Sequence, residues 1–94
     1  MLDEYRGLYA KGDQIMKLTE SESIILLLFT FKKSEEYLNF DEMEKALNQV
    51  LDYKVSMSYT RATMNRLRLK LEVLGETIKK KPRVGYYIKE LKRR

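Results

Sequence analysis

SYTRATMNRLRLKLEVLG, residues 58–75, decides how the rest of this 94-residue chain is read. At helical period, Met64, Leu67, Leu71 and Leu74 recur three and four apart and form one apolar stripe. Arg61, Asn65, Arg66, Arg68 and Lys70 fall on the other side. Ser56 or Ser58 can cap the start with a hydroxyl, and Gly75 can adopt the left-handed conformation that ends a helix. An amphipathic helix with a solvated charged face is the plainest reading. Two observations speak against it. Four cations precede the first acid, Glu72, so the alternating signs of an ordinary solvated face are missing. Residues 77–88 then add Lys79, Lys80, Lys81 and Arg83 around a turn marked by Pro82. The stretch predicts a cationic helix followed by a basic hairpin.

Charge is segregated along the whole chain in the same sense. The net charge of +5 combines a first part, residues 1–57, with 7 Lys and Arg against 11 Asp and Glu, and a second, residues 58–94, with 12 against 3. The balances are −4 and +9. A cationic half of this kind suits a polyanion, whose phosphates are met by Lys and Arg; a basic surface that merely keeps the chain in solution is the alternative. Ninety-four residues predict one domain, residues 1–94, whose core is too small to enclose a large ligand. With 44% hydrophobic and 35% charged residues, the chain is globular rather than disordered. The longest apolar run is residues 24–29, far short of a membrane span, and no secretion signal is visible, so a cytoplasmic, nucleoid-associated setting is the expectation.

Working outward towards the N-terminus, Asp52 to Met57 form a short loop, and residues 41–51 form a second amphipathic helix. Asp41 and Glu44 supply its start signal; Met43, Ala46, Leu47, Val50 and Leu51 form its apolar face. Before a polar connection at 32–39, residues 20–31 form a first helix, capped by Thr19 with Glu22 and apolar on nearly every side, hence central. Residues 8–18 form a short β-hairpin around Lys11-Gly12-Asp13, with Gly12 supplying the positive φ of a tight turn. Towards the C-terminus, residues 77–88 form the second hairpin, with short strands at 77–79 and 85–88 around a turn at 80–84, Ile78, Tyr86 and Ile88 facing the core and Tyr87 facing out; residues 89–94 are a basic tail. A helix, a short turn and a second, basic helix make a helix-turn-helix. The expected class is therefore α+β, a winged helix-turn-helix with an N-terminal hairpin, three helices (20–31, 41–51, 58–74) and a C-terminal hairpin wing.

Three phrases in register resemble a known family. LTESESIILLLF (18–29), NRLRLKLEVLG (65–75) and RVGYYI (83–88) are similar to the opening, helical and closing motifs of the OmpR/PhoB-type winged-helix DNA-binding domain. The resemblance covers about residues 5–90. It implies sequence-specific binding of double-stranded DNA by a transcription regulator. Carried over by position, it places Tyr59, Ala62, Thr63 and Arg66 on base edges, with Ser58, Arg61 and Asn65 beside them near the phosphates. Arg83 or Lys81 takes the place of a wing arginine that enters the minor groove. Loop 52–57 corresponds to the segment that touches RNA polymerase in some members, and tandem binding implies a second protomer on DNA. Family members that are response regulators carry a receiver domain in front; too few residues precede the first strand to hold one. Pro82 in the wing is closer to the ToxR/CadC-like branch, in which a membrane segment usually follows. The chain is then expected to be either a piece of a longer, membrane-anchored protein or a free-standing small regulator.

The residues themselves divide the work in a similar way. Arg66 can bond a guanine bidentately, or it can pair with phosphate or with an acid on the second helix. Lys70, Lys79, Lys80 and Lys81 suit phosphates, which position without specifying. Leu69 and Val73 lie off the apolar stripe and are expected to pack on the wing, a contact with a second protomer being the alternative. With neither histidine nor cysteine, the chain offers no imidazole base, thiolate nucleophile or His/Cys metal site, and its acids sit at helix starts or in a loop, where capping explains them. No catalytic residue, metal, cofactor or small-molecule substrate is expected. Two other roles stay open: a winged helix that docks an acidic protein, and a basic domain on an anionic membrane surface, suggested by Lys92, Arg93 and Arg94.

Overall fold

Side-chain caps set where each helix begins. In the computed structural model, which describes residues 1–3, 5–32, 36–51 and 54–91, α1 spans Glu20–Thr30, α2 Phe40–Val50 and α3 Met57–Val73. At α1 the Glu22 amide donates to Thr19 Oγ1 at 3.2 Å and the Thr19 amide to Glu22 Oε1 at 2.8 Å, closing the expected capping box. At α2 the cap is Asn39 with Glu42, two residues before the expected Asp41 with Glu44. Both patterns exist in the sequence; the earlier one is used, and Met43 and Leu47 are then fully buried while Asp41 stays in solvent. At α3 the Tyr59 amide donates to Ser56 Oγ at 3.0 Å, and Gly75, at φ 85°, ends the helix.

The N-terminal hairpin forms as β2 (Leu8–Lys11) and β3 (Gln14–Lys17), with Lys11 opposite Gln14 and Gly12 at φ 59° between them. A further strand, β1 (Leu2–Asp3), pairs with β2 and makes a three-stranded antiparallel sheet. Two residues are too few to show an alternating pattern, so this strand was invisible to periodicity. The C-terminal hairpin, β4 (Glu76–Lys81) and β5 (Gly85–Glu90), is longer than expected. Lys80 and Lys81 lie in β4 rather than in the turn, which narrows to Pro82, Arg83 and Val84 with Arg83 at φ 66°.

The core lies where α1 packs on both α2 and α3 and where α3 packs on β4. Ile25, Leu26 and Phe29 meet Met43 and Leu47, and Met64, Leu67, Leu71 and Ile78 close it from below. The expected stripe on α3 is buried throughout, and Thr60 and Thr63 join it with no exposed surface. Val50, expected on the inner face of α2, is instead 56% exposed. Tyr86 and Ile88 pack against the core, whereas Tyr87 meets Tyr37 edge to face with ring centres 5.6 Å apart.

Contacts at its tip end and at its base hold the wing in place. Leu38 exchanges backbone hydrogen bonds with Tyr86, seating the segment before α2 against β5. Gly85 permits this, since a Cβ there would lie 2.8 Å from the Leu38 carbonyl oxygen. At the base, Tyr9 donates to Glu76 Oε1 at 2.8 Å, and Lys11 reaches Glu90 at 2.9 Å and Glu76 at 3.4 Å. Lys92, Arg93 and Arg94 of the basic tail, and Asp52 and Tyr53 of the 52–57 loop, lie outside the described residues. No helix of the described residues is long and apolar enough to cross a membrane.

Candidate nucleic-acid interface

Once Thr60, Met64, Leu67 and Leu71 of α3 turn inward, helical geometry fixes what faces out. Ser58, Ala62, Asn65 and Leu69, spaced four, three and four apart, form the outward line, and all four are exposed. Arg61 flanks this line on the side of α2 and the wing, and Arg66 flanks it on the side of α1.

On the wing side the cations stand around a groove of about 400 Å³ between the start of α3 and the hairpin tip. Arg61, Lys80, Lys81 and Arg83 line it, with Phe40, Met57, Val84 and Tyr86 supplying apolar wall and Asp41 the one acid of the lining among the described residues. The Arg61 guanidinium lies 5.8 Å from the centre of the Phe40 ring, and the Lys81 ammonium 5.1 Å from that of Tyr37. Among the described residues no carboxylate pairs with Arg61, Lys79, Lys80, Lys81 or Arg83. A concave strip of cations concentrates positive potential and raises the local concentration of an anionic partner.

The α1 side is built differently. Glu22, with no exposed surface, accepts a 2.6 Å hydrogen bond from Lys70 through Oε1, and its Oε2 lies 3.7 Å from Arg66 Nε. Lys70 also donates to the Lys17 carbonyl at 3.1 Å, and Arg66 Nη2 to Thr63 Oγ1 at 3.3 Å. The Tyr59 hydroxyl shares a hydrogen bond with Ser21 Oγ.

These contacts sort the site residues expected from sequence. Arg61, Lys80, Lys81 and Arg83 are brought together in the groove, and Ser58, Ala62 and Asn65 lie on the outward line. Thr63 needs correction: it is fully buried and its hydroxyl donates to the Tyr59 carbonyl at 2.9 Å, so it faces the core and not a base. Lys70 needs correction too, because its ammonium is spent on Glu22 and Lys17 rather than offered to phosphate. Tyr59 is half-buried against the core, with its ring directed towards α1. Arg66 is exposed, and the acid beside it belongs to α1 rather than to the second helix. Leu69 and Val73 do not pack on the wing; they are 57% and 61% exposed. Sequence reasoning missed Phe40 and Tyr37 as platforms beneath cations, and Glu22 as the partner of two of them. Its position in a Thr-x-x-Glu box explains Glu22 locally, which hid its long-range contacts.

No protein-family model and no curated protein matches the chain. Among solved structures it is similar to the C-terminal domain of the nisin resistance regulator NsrR, a lantibiotic response regulator. The TM-score is 0.78 at 23% identity, over 93% of this chain and 88% of that one. The likeness is one of fold: three helices and two small antiparallel sheets arranged as a winged helix.

Proposed function

We propose that this chain is a single winged-helix domain that binds double-stranded DNA as a transcription regulator. The observation that carries the reading is the groove between α3 and the wing, where Arg61, Lys80, Lys81 and Arg83 converge with no paired acid among the described residues. The major groove of B-DNA is about 12 Å wide and admits an α-helix. With α3 seated there, Asn65 can bond an adenine through its N6 and N7 edge, and the Ala62 methyl can meet a thymine methyl. Arg66, at the edge of the outward line, reaches a base or the nearer phosphate. The wing and Arg61 then lie against the backbone, where cations position the protein without specifying sequence. The likeness to a response-regulator domain agrees with this reading, as does a sequence without histidine or cysteine for catalysis.

The test is fluorescence anisotropy of a labelled mixed-sequence duplex at low and at physiological salt. Binding in roughly the micromolar range at low salt, falling steeply as salt rises, is expected, because each phosphate neutralised releases counterions. No binding at low salt would assign the cationic face to an acidic protein or an anionic membrane. A site selected from a random library then allows base readout to be measured apart from phosphate contact.

A further inference from the structure

Glu22 is a fully buried acid whose role in the cap does not by itself need a charge. A glutamine would close the same capping box, yet the chain places a carboxylate there and turns two cations of α3 towards it. Its Oε1 takes hydrogen bonds from the Thr19 amide at 2.8 Å and from Lys70 at 2.6 Å. Its Oε2, also buried, accepts no hydrogen bond among the described residues and faces Arg66 Nε at 3.7 Å. The Arg66 side chain is 51% exposed and that of Lys70 32%, so both would otherwise be available to an anion at the surface.

We propose that Glu22 is a positioning residue for the α3 face: it withholds Lys70 from polyanions and holds the Arg66 guanidinium against α1. The inference rests on the DNA-binding reading for its purpose, though not for its test. Electrostatic binding to any duplex is set by how many cations meet phosphates, and specific binding matters only by its ratio to that background. A buried carboxylate beside α3 lowers the background by removing one cation and restraining a second. It also fixes the direction of Arg66, so that a contact made by this guanidinium depends on what the DNA presents there. The wing cations have no such partner among the described residues and supply the background that remains.

The experiment compares wild type, Glu22→Gln, Glu22→Asp and Glu20→Gln on heparin and on a mixed-sequence duplex across a salt series. Glu20 lies two residues away, is exposed and pairs with no cation among the described residues, so its variant controls for the loss of one negative charge. Glu22→Gln keeps the cap and releases Lys70 and Arg66. Its slope of log affinity against log salt should steepen by about 1–2 relative to Glu20→Gln, at roughly 0.9 per additional phosphate met. Glu22→Asp draws the carboxylate back by one methylene at unchanged net charge, so a steeper slope there cannot come from total charge, and it decides the matter if the glutamine variant does not fold. Equal slopes for the Glu22 variants and the control overturn the proposal and leave Glu22 a cap. Heparin separates the two readings. A wild type retained by heparin but indifferent to duplex overturns DNA binding while the Glu22 slopes still decide this inference. A wild type retained by neither overturns both.

Discussion

On the wing side of α3, Arg61, Lys80, Lys81 and Arg83 stand around an open groove that Asp41 also lines, whereas on the α1 side Arg66 and Lys70 converge on one buried carboxylate. The residue types are the same and lie on or beside one helix. What differs is the desolvated partner. An exposed cation keeps its hydration and adds to the field of the surface. A cation tied to a buried acid compensates a charge that would otherwise be costly to bury, and its attraction is spent inside the fold. Counting lysines and arginines therefore overstates the surface charge on one flank and describes the other correctly.

The largest expected effect tests that difference through stability. Lys70→Met leaves the Glu22 carboxylate buried with only Arg66, 3.7 Å away, to compensate it. Removing one partner of a buried pair typically costs several kcal/mol; with Arg66 still present, about 2–4 kcal/mol is expected here. Lys80→Met, on the open flank, should change stability by no more than about 0.5 kcal/mol. Urea denaturation of the two variants measures both. A Lys70→Met loss as small as that of Lys80→Met would abolish the distinction between flanks.

Gly85→Ala comes next, because it attacks the geometry of the open flank. Its Cβ would stand 2.8 Å from the Leu38 carbonyl oxygen and 3.1 Å from the Tyr37 Cβ, at a backbone φ of 150° that side chains rarely adopt. About 1–3 kcal/mol of destabilisation is expected, with the segment before α2 displaced from β5. Amide exchange at Tyr86, whose N–H donates to the Leu38 carbonyl, reports that displacement directly. An unchanged exchange rate would mean that the wing does not depend on this close approach.

Much of this architecture could be read from the residues, and the failures have physical causes. The stripe of Met64, Leu67, Leu71 and Leu74 is strong because helical period and burial agree at every position. Likewise Thr19 with Glu22 fixes the start of α1, since a cap is a local signal. Asn39 with Glu42 and Asp41 with Glu44 are two such signals in competition, and local rules do not choose between them. Thr63 shows the limit for site residues. A threonine in a helix can satisfy its hydroxyl on the carbonyl four residues back, so it can be buried without a partner elsewhere. Pattern alone does not separate that threonine from one that faces a ligand. The convergence of Lys70 and Arg66 on Glu22 joins residues 44 and 48 apart in sequence, which no periodicity reaches.

A third prediction carries the comparison onto DNA and is smaller in energy. Removing one phosphate contact should reduce the steepness of the salt dependence by about 0.9. Arg61→Ala and Lys80→Ala are each expected to do so on every duplex. Arg66→Ala should change the slope by less, because Glu22 already engages that guanidinium, and should instead alter preference among duplexes. Anisotropy titrations over a salt series, on a selected site and on a mixed-sequence control, measure slope and preference together. Equal slopes for Arg61→Ala and Arg66→Ala would show that both flanks meet phosphate alike.

The smallest effect concerns a second nearly buried acid, Glu76, at the base of the wing. Here the partner is a neutral donor as well as a cation: Tyr9 donates to Glu76 while Lys11 approaches from solvent. Burial first, and the hydrogen bond to Glu76 second, push the Tyr9 phenol from its ordinary value of 10.0 up to about 12. The sign follows from which state holds the proton more tightly. The folded state does, so the stabilisation is complete below pH 10 and is lost as pH rises towards 12. Tyr9→Phe removes both the hydrogen bond and this titration. The gap in stability between wild type and Tyr9→Phe should therefore be constant from pH 7 to 9 and shrink between pH 10 and 12. Differences between the two proteins cancel the lysines that titrate in the same range. A gap that stays constant to pH 12 would mean that Glu76, unlike Glu22, exerts no hold on its partner in the folded chain.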